Sequence, residues 1–226
     1  AVMGALLEAS HRLQAARIEA EASEPRAMLI VGGAGKMGLR LAEAFGARGH
    51  QVDSYDLGDD RPLAAVVAAA DVVLVAVPML QAAKVVAEVA PLVRQDALLC
   101  DINSLKTEVC EAMAACPGEA LGLHPMFGPS VHSLRRQKVV CCAVRPGPLG
   151  EWLRHELSQI GCDLVESTPE EHDRMMAVVQ VLVHFRTLAT GAALRKFGAE
   201  IHESLRFTSP IYRLELAFCG RLFAQD

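Results

Sequence analysis

A glycine-rich segment, Gly33-Ala34-Gly35-Lys36-Met37-Gly38, lies between the apolar run Met28–Val31 and the amphipathic run Leu39–Phe45. Glycines at this spacing between a strand and a helix allow a tight turn and close backbone approach to a pyrophosphate, whose charge the helix N-terminus stabilises. Asp56 follows 23 residues after Gly33, where a carboxylate can accept both hydroxyls of an adenosine ribose. The pattern predicts a dinucleotide site, and the alternative is a glycine-rich turn with Asp56 as a surface residue.

Charged residues after Asp56 bear on which dinucleotide is bound. Asp59 and Asp60 have only Arg61 beside them as a counter-charge, and this environment would repel a 2′-phosphate. NAD is therefore favoured over NADP. The predicted cofactor contacts are Gly33, Gly35, Lys36, Met37, Gly38, Asp56 and Pro78.

A histidine lies in the segment Leu121-Gly122-Leu123-His124-Pro125-Met126-Phe127-Gly128-Pro129, at the end of a predicted strand and before two turns that proline fixes. An imidazole with an unperturbed pKa of about 6.5 is suited to accept a hydroxyl proton as a hydride leaves. Ser104 follows another predicted strand, Ala97–Cys100, at the carboxyl edge where such sheets bind ligands. His124 is a candidate base or a hydrogen-bonded loop residue, and Ser104 caps a helix, contacts a ligand, or does both.

Two further candidates lie on a helix predicted to run to about Gly191. Gln180 and His184 fall with Asp173 and Ala177 within an arc of about 60° on a helix that is otherwise apolar. Polar side chains on such a helix must face polar partners or water. This stripe therefore either lines a cleft or forms a solvated face.

Arg213 lies near the start of a helix that Ser209-Pro210 opens, where the helix dipole disfavours a cation. A bound anion would reverse that penalty, and the planar guanidinium suits a carboxylate. Pairing with Glu215 or another acid is the alternative. The sequence thus leaves Arg213 either as a contact for an anionic substrate or as part of an ion pair.

The composition narrows the class of protein. The chain has 226 residues, of which 52% are hydrophobic and 22% charged, enough for a folded core. No unbroken apolar run reaches about 18 residues, and a net charge of −5 with 4% aromatic residues argues against nucleic acid, so neither membrane nor nucleic acid is an expected partner. Seven cysteines without a C-x-x-C pair indicate free thiols in a reduced, cytoplasmic compartment, and no metal site is predicted.

Alternating strands and helices must position these residues. Several of the predicted strands are continuously apolar, as parallel strands covered on both faces are. The seven predicted strands are Met28–Val31, Gln51–Tyr55, Val72–Val77, Ala97–Cys100, Ala120–Leu123, Val139–Val144 and Cys162–Val165. The predicted fold class is therefore α/β, with a doubly wound, mostly parallel Rossmann sheet over residues 27–167.

Only helices are predicted beyond Val165. Thr168-Pro169-Glu170-Glu171 has the residues of a capping box and Ser209-Pro210 opens another helix, so residues 168–226 are expected to begin an all-helical domain. Residues 1–26 are predicted to form a helix and a linker. The chain starts with Ala1 and stops at Asp226 inside a helical pattern, which leads us to expect a fragment of a longer protein.

The chain resembles prephenate dehydrogenases on the glycine segment Val31–Gly38, on Leu121–Pro129 and on Ser209-Pro210-Ile211-Tyr212-Arg213-Leu214-Glu215-Leu216. The resemblance covers about residue 27 to the end and is greatest to the bifunctional chorismate mutase/prephenate dehydrogenases of bacterial tyrosine synthesis. It implies an NAD-binding Rossmann domain, a helical dimerisation domain and an active site in the cleft between them. The N-terminal helix is similar only to the tail of a mutase domain, so mutase activity is not expected.

The resemblance also implies roles for individual residues. His124 would accept a hydrogen bond from the 4-hydroxyl of prephenate, with Ser104 as its neighbour on that hydroxyl. His184 would lie near nicotinamide and substrate with Gln180, and Arg213 would bind a prephenate carboxylate. The implied reaction is NAD-dependent oxidative decarboxylation of prephenate to 4-hydroxyphenylpyruvate, with a homodimer as the assembly.

Three alternatives stay open. The substrate could be arogenate, the chain could be a non-catalytic NAD-binding module, or it could be another Rossmann reductase that acts on a hydroxy acid or imine. A binding module has no need for His124, His184 and Arg213 together. A generic reductase would not share both long motifs, so the sequence favours prephenate dehydrogenase over these alternatives.

Overall fold

A computed structural model of the chain describes residues 24–197 and 201–223. The helix predicted within residues 1–26 lies outside them. The chain divides into two compact units, one that ends at Pro169 and one that begins at Glu170. We call them the sheet unit and the helical unit.

One seven-stranded sheet forms the centre of the sheet unit. Its strands are β1 Ala27–Val31, β2 Gln51–Tyr55, β3 Val72–Val75, β4 Leu98–Asp101, β5 Glu119–Pro125, β6 Lys138–Arg145 and β7 Asp163–Glu166. They lie in the order β2-β1-β3-β4-β5-β6-β7, with β2 and β7 at the edges. Each predicted strand corresponds to one of these within two residues at either end, and the predicted α/β class is confirmed.

The strands are parallel except where β5 meets β6. That pair is antiparallel, and β7 runs parallel to β6, so the last two strands oppose the first five. Parallel neighbours need a long crossover, usually a helix, whereas residues 126–137 contain only turns and bends between β5 and β6. The direction of β6 thus follows from a connection that has no helix.

Among the described residues, five α-helices flank the strands of the sheet unit. They are α1 Lys36–Gly46, α2 Leu63–Ala69, α3 Met79–Val89, α4 Thr107–Met113 and α5 Pro148–Ile160. Alternate strand residues point to opposite faces, so Leu29 and Ile30 belong to separate hydrophobic clusters. Because both faces are covered, every residue of β3 and β4 is buried.

A side chain from the sheet caps α5. Glu119 of β5 accepts hydrogen bonds from the backbone N–H groups of Leu149 (3.1 Å) and Gly150 (2.7 Å). The N-cap residue of this helix, Gly147, has no side chain that could do so. The cap therefore ties the start of α5 to the strand that also contains His124.

Glu119→Ala should lower the free energy of unfolding by about 1–2 kcal/mol, because two N–H groups of α5 lose their acceptor. Urea denaturation would measure the change. Glu151→Ala is the matched control, since Glu151 lies in the first turn of the same helix and pairs only on the surface with Arg154. An equal loss of stability in both variants would contradict the capping role of Glu119.

The helical unit contains one long helix and several shorter ones. Its elements are α6 Pro169–Met176, a π-helical segment Ala177–Leu182, α7 Val183–Lys196, α8 Ile201–Ser204, a 3₁₀ turn Leu205–Phe207 and α9 Pro210–Phe223. The helix starts predicted at Pro169 and Pro210 are confirmed, and Ser209 Oγ accepts the Tyr212 N–H at 3.1 Å. The π-helical segment is not predicted by the sequence.

The continuous helix Pro169–Lys196 corrects one expectation. It is 28 residues long, has a mean hydropathy of 1.4 over an 18-residue window, and could cross a membrane by length and composition alone. No unbroken apolar run of this length occurs in the helix, but its scattered polar residues include few charges, so the mean hydropathy of the window stays high. A single such helix is weak evidence for a membrane span. Apolar side chains that are exposed in one chain can also be covered by a partner chain.

Candidate active site

The loop between β1 and α1 is shaped by its glycines. Gly32 has a φ of +87° and its N–H donates to the Tyr55 carbonyl at 2.8 Å. A Cβ on Gly33 would lie 2.4 Å from Ser54 Cβ, and one on Gly38 would lie 2.8 Å from Gly33 Cα. A larger residue at Gly33 would push the loop away from β2, and one at Gly38 would push the helix away from the loop. The two glycines therefore allow the close packing that dinucleotide-binding loops require.

The start of α1 suits a negatively charged ligand. Gly35 is the N-cap residue, its helix end receives no side-chain hydrogen bond in the described structure, and the first turn has no acidic residue. Lys36 is the first helical residue and is exposed, while Met37 packs partly against the core. Uncapped N–H groups and the helix dipole are what a pyrophosphate would contact.

Asp56 lies directly after β2 and reaches back to the glycine loop. Its Oδ1 and Oδ2 accept the N–H of Ala34 at 3.2 and 3.0 Å. This contact places a half-buried carboxylate beside the predicted pyrophosphate site, where a ribose would follow. The glycine loop and Asp56 therefore fit a dinucleotide, and Pro78, the exposed N-cap residue of α3, follows β3 at the same edge.

A buried ion pair closes the end of β4. Lys106 Nζ lies 2.5 Å from Asp101 Oδ2, and both side chains are fully buried. Asp101 Oδ2 also accepts the N–H of Asn103 at 2.8 Å. Burial raises the pKa of Asp101, and the ammonium of Lys106 opposes that rise. Gly122 of β5 makes room for the pair, since a Cβ there would lie 3.2 Å from Lys106 Cδ.

Ser104 and His124 lie beyond this pair on neighbouring strands. Asp101 is paired with Gly122 in the sheet, so His124 comes two residues further along β5, on the same face as Gly122. Ser104 is half-buried in the loop after β4. It does not cap the helix, because α4 begins at Thr107 with Lys106 as the N-cap residue.

His124 itself is 3% exposed and paired with Val140 of β6. Pro125 is the last residue of β5 and does not form the first of the two predicted turns. The next residue, Met126, still donates its backbone N–H to the Lys138 carbonyl of β6. The sheet therefore fixes the backbone of His124 on both sides. It is a strand residue and not the loop residue that the alternative reading assumed.

Gln180 and His184 lie in the helical unit. Gln180 is half-buried in the π-helical segment, and the exposed His184 follows in α7. A π-helical turn is wider than an α-helical one, so the predicted polar stripe does not keep a single 100° spacing. Such segments occur often at functional sites, which supports the cleft reading of this stripe.

A pocket between α7 and α9 includes His184 but not Arg213. It is lined by Val183, His184, Arg186, Thr187, Phe218, Arg221 and Leu222. Arg213 is exposed elsewhere on α9, and Glu215, its suggested partner, lies 3.5 Å from Arg186. Arg221 was missed because one arginine in the last turn of a helix is ordinary there.

The predicted site residues thus form two groups, one in each unit. The sheet unit brings the glycine loop, Asp56, Ser104 and His124 to one edge, and the helical unit brings His184 together with two arginines. No group of three His, Cys, Asp or Glu side chains suited to a metal ion occurs among residues 24–197 and 201–223. This arrangement is typical of a nucleotide-binding α/β dehydrogenase.

Comparison with known proteins gives the family. Two family models match in succession, the nucleotide-binding domain of prephenate dehydrogenase over residues 47–145 and its dimerization domain over residues 168–226. The T-protein of Enterobacter agglomerans is 40% identical over 204 residues, which cover 90% of this chain and 54% of that protein. The 4-amino-4-deoxyprephenate dehydrogenase of Streptomyces pristinaespiralis is 32% identical over 213 residues, covering 86% and 72%. The chain belongs to the prephenate dehydrogenase family, whose members are NAD-dependent oxidoreductases.

Solved structures agree on the fold. Prephenate dehydrogenase from Aquifex aeolicus, in complex with hydroxyphenyl propionate and NAD⁺, has a TM-score of 0.67 and 17% identity, covering 90% of this chain and 87% of that one. The chain spans about half the length of the T-protein relatives it matches. The glycine loop lies outside the residues that the nucleotide-binding model matches, so its assignment depends on the geometry described above.

Proposed function

We propose that this chain catalyses the NAD-dependent oxidative decarboxylation of prephenate to 4-hydroxyphenylpyruvate. The observation that carries the proposal is a buried histidine, His124, at the same sheet edge as the glycine loop and Asp56. A base is needed there because the reaction removes a hydroxyl proton as a hydride departs. The family to which the chain belongs supports this reaction class.

In the proposed mechanism, His124 takes the proton from the 4-hydroxyl of prephenate while Ser104 forms a hydrogen bond at the same oxygen. NAD⁺ supplies the acceptor for the hydride that leaves ring carbon C4. The ring carboxylate leaves as CO₂, and the resulting aromatic ring makes the step favourable. His124 then returns its proton to the phenolic oxygen, so no net proton is released.

The helical unit is proposed to contribute contacts for a substrate carboxylate. His184, Arg186 and Arg221 line one pocket there, and Arg186 also lies 3.5 Å from Glu215. Prephenate has two carboxylates, which such basic side chains can bind through charge-assisted hydrogen bonds. Gln180, four residues before His184, remains a proposed polar contact for the substrate. Arg213 remains a proposed carboxylate ligand.

Arg221→Ala should raise the KM for prephenate about tenfold or more, because a hydrogen bond between two charged groups is lost. Arg213→Ala tests the sequence-based prediction in parallel and should raise the KM less, since Arg213 is exposed outside the pocket. Steady-state kinetics and an NAD⁺ titration would be compared for both variants. An unchanged KM in both, or a weakened NAD⁺ affinity instead, would reject the assignment of these arginines.

One assay tests the activity itself. NADH formation is followed at neutral pH with prephenate, with arogenate and without substrate. The proposal expects turnover of prephenate. Turnover of arogenate alone would transfer the same mechanism to that substrate, and turnover of neither would favour a non-catalytic NAD-binding module.

A homodimer in the cytoplasm is the proposed setting. The helix Pro169–Lys196 exposes many apolar side chains, and the family model that matches this region describes a dimerization domain, which supports coverage by a second copy.

All seven cysteines are free and buried, and burial raises the pKa of Cys141 to about 12 and of Cys162 to about 11. Such thiols stay protonated, in keeping with a reduced compartment. A soluble homodimer should sediment in buffer with the mass of two chains. A membrane-bound chain should instead float with lipid vesicles in a density gradient.

A further inference from the structure

Arg61, near the predicted adenosine site, uses almost all of its N–H donors in hydrogen bonds within the protein. Arg61 donates from Nε to Asp59 Oδ1 (3.0 Å), from Nη2 to Asp59 Oδ2 (2.7 Å) and from Nη1 to Asp53 Oδ2 (2.5 Å). A second N–H of Nη2 donates to the Ser54 carbonyl. A guanidinium has five N–H donors, and here only one remains free for any ligand.

This guanidinium contacts the end of β2, two residues before the predicted ribose-binding Asp56. Ser54, whose carbonyl it contacts, is the residue against which a Cβ on Gly33 would collide at 2.4 Å. Asp56, two residues after Ser54, has its carboxylate on the N–H of Ala34 in the glycine loop. In dinucleotide folds an acid at this position binds the ribose hydroxyls, and a nearby arginine accommodates the 2′-phosphate of NADP.

We propose that Asp53 and Asp59 set the preference for NAD by holding Arg61 away from a 2′-phosphate, so that the chain contains a masked NADP-binding residue. This inference rests on the proposed dinucleotide site and goes beyond it, because it assigns the discrimination to two acids that bind Arg61 and not to the predicted ribose-binding Asp56. Asp56 alone would not suffice, since a free Arg61 beside it could still attract a phosphate.

The charges around Arg61 agree with this assignment. Residues 53–61 contain four aspartates and one arginine, a net charge of −3 next to the ribose position. The hydrogen bonds from Arg61 lower the pKa of Asp59 to about 2, so this carboxylate stays ionised at neutral pH and continues to bind Arg61. Asp53 and Asp59 in turn raise the pKa of Arg61, which remains charged.

The test measures binding and not turnover. In Asp53→Asn/Asp59→Asn, titration with NADP should give a Kd at least about tenfold lower than in the wild type, because Arg61 becomes free to form charge-assisted hydrogen bonds with the phosphate. The Kd for NAD should change less than about twofold, since Asp56 is intact. Asp56→Ser serves as a positive control and should weaken NAD.

Two further variants distinguish release of Arg61 from a general change of charge. Asp60→Asn removes the same charge as Asp59→Asn, yet Asp60 is exposed and forms no hydrogen bond or ion pair with Arg61 in the described structure. It should leave the NADP affinity nearly unchanged. Adding Arg61→Gln to the double variant should abolish the gain.

Each contrary outcome has a definite meaning. The inference is overturned if Asp60→Asn gains as much NADP affinity as the double variant, or if the gain survives Arg61→Gln, or if the double variant gains none. When the wild type binds NAD and converts prephenate, such results reject this inference and leave the proposed function standing. A wild type that binds neither dinucleotide rejects both.

Discussion

His124→Asn should lower kcat for prephenate by a factor of about 10²–10⁴, the usual contribution of a positioned acid or base. Asparagine keeps a polar side chain at this buried position of β5 but cannot accept the hydroxyl proton as the hydride departs. The dissociation constant for NAD⁺ should stay the same, because the glycine loop and Asp56 are untouched. Steady-state kinetics with an independent NAD⁺ titration would measure both quantities.

His155→Asn is the matched control for this variant. His155 is exposed on α5 and belongs to neither group of site residues. It should retain the wild-type kcat. An unchanged kcat in His124→Asn, or an equal loss in both variants, would show that His124 does not transfer the proton.

Lys106→Met is expected to cost about 3–5 kcal/mol of unfolding free energy, because it leaves the carboxylate of Asp101 buried without its partner. Urea denaturation at pH 7 would measure the loss. Lys84→Met provides the control, since Lys84 and Glu88 form an exposed pair at 4.0 Å whose removal should cost no more than about 0.5 kcal/mol. Equal losses in the two variants would show that the buried pair has no special importance.

The pH dependence of Lys106→Met follows from the same contact. Burial raises the pKa of Asp101 in the folded state above the 3.8 of the unfolded chain, so the folded state binds the proton more tightly. Without Lys106 only the hydrogen bonds from Asn103 oppose that rise, and the contribution of Asp101 to stability is greatest below pH 3.8 and is lost as the pH increases. The deficit of the variant should therefore shrink between pH 7 and pH 4, and Asp101→Asn in the same chain should restore part of the stability at pH 7.

The sequence predicted the strands well because each central strand is covered on both faces. Val72–Val75 and Leu98–Asp101 are buried throughout, and such strands appear in the sequence as short runs of apolar residues between turn formers. The reversal of β6 was not predicted, although a signal existed. Residues 126–137 lack the helical periodicity that a parallel crossover requires.

The site was only partly predictable. The glycine loop, Asp56 and His124 follow local patterns at strand ends, and the structure has them at one edge of the sheet. The ion pair of Lys106 with Asp101 and the contacts of Arg61 depend on side-chain conformations that no spacing rule specifies. Arg221 becomes a candidate only when α7 and α9 pack together, which the linear sequence does not reveal.

The order of the sheet has a consequence for self-association. Both edge strands have acidic side chains along them, Asp53 on β2 and Asp163 and Glu166 on β7, and all three are exposed. Charged side chains on an edge strand disfavour pairing with a strand from another molecule. The two ends of the sheet are therefore poor templates for its extension.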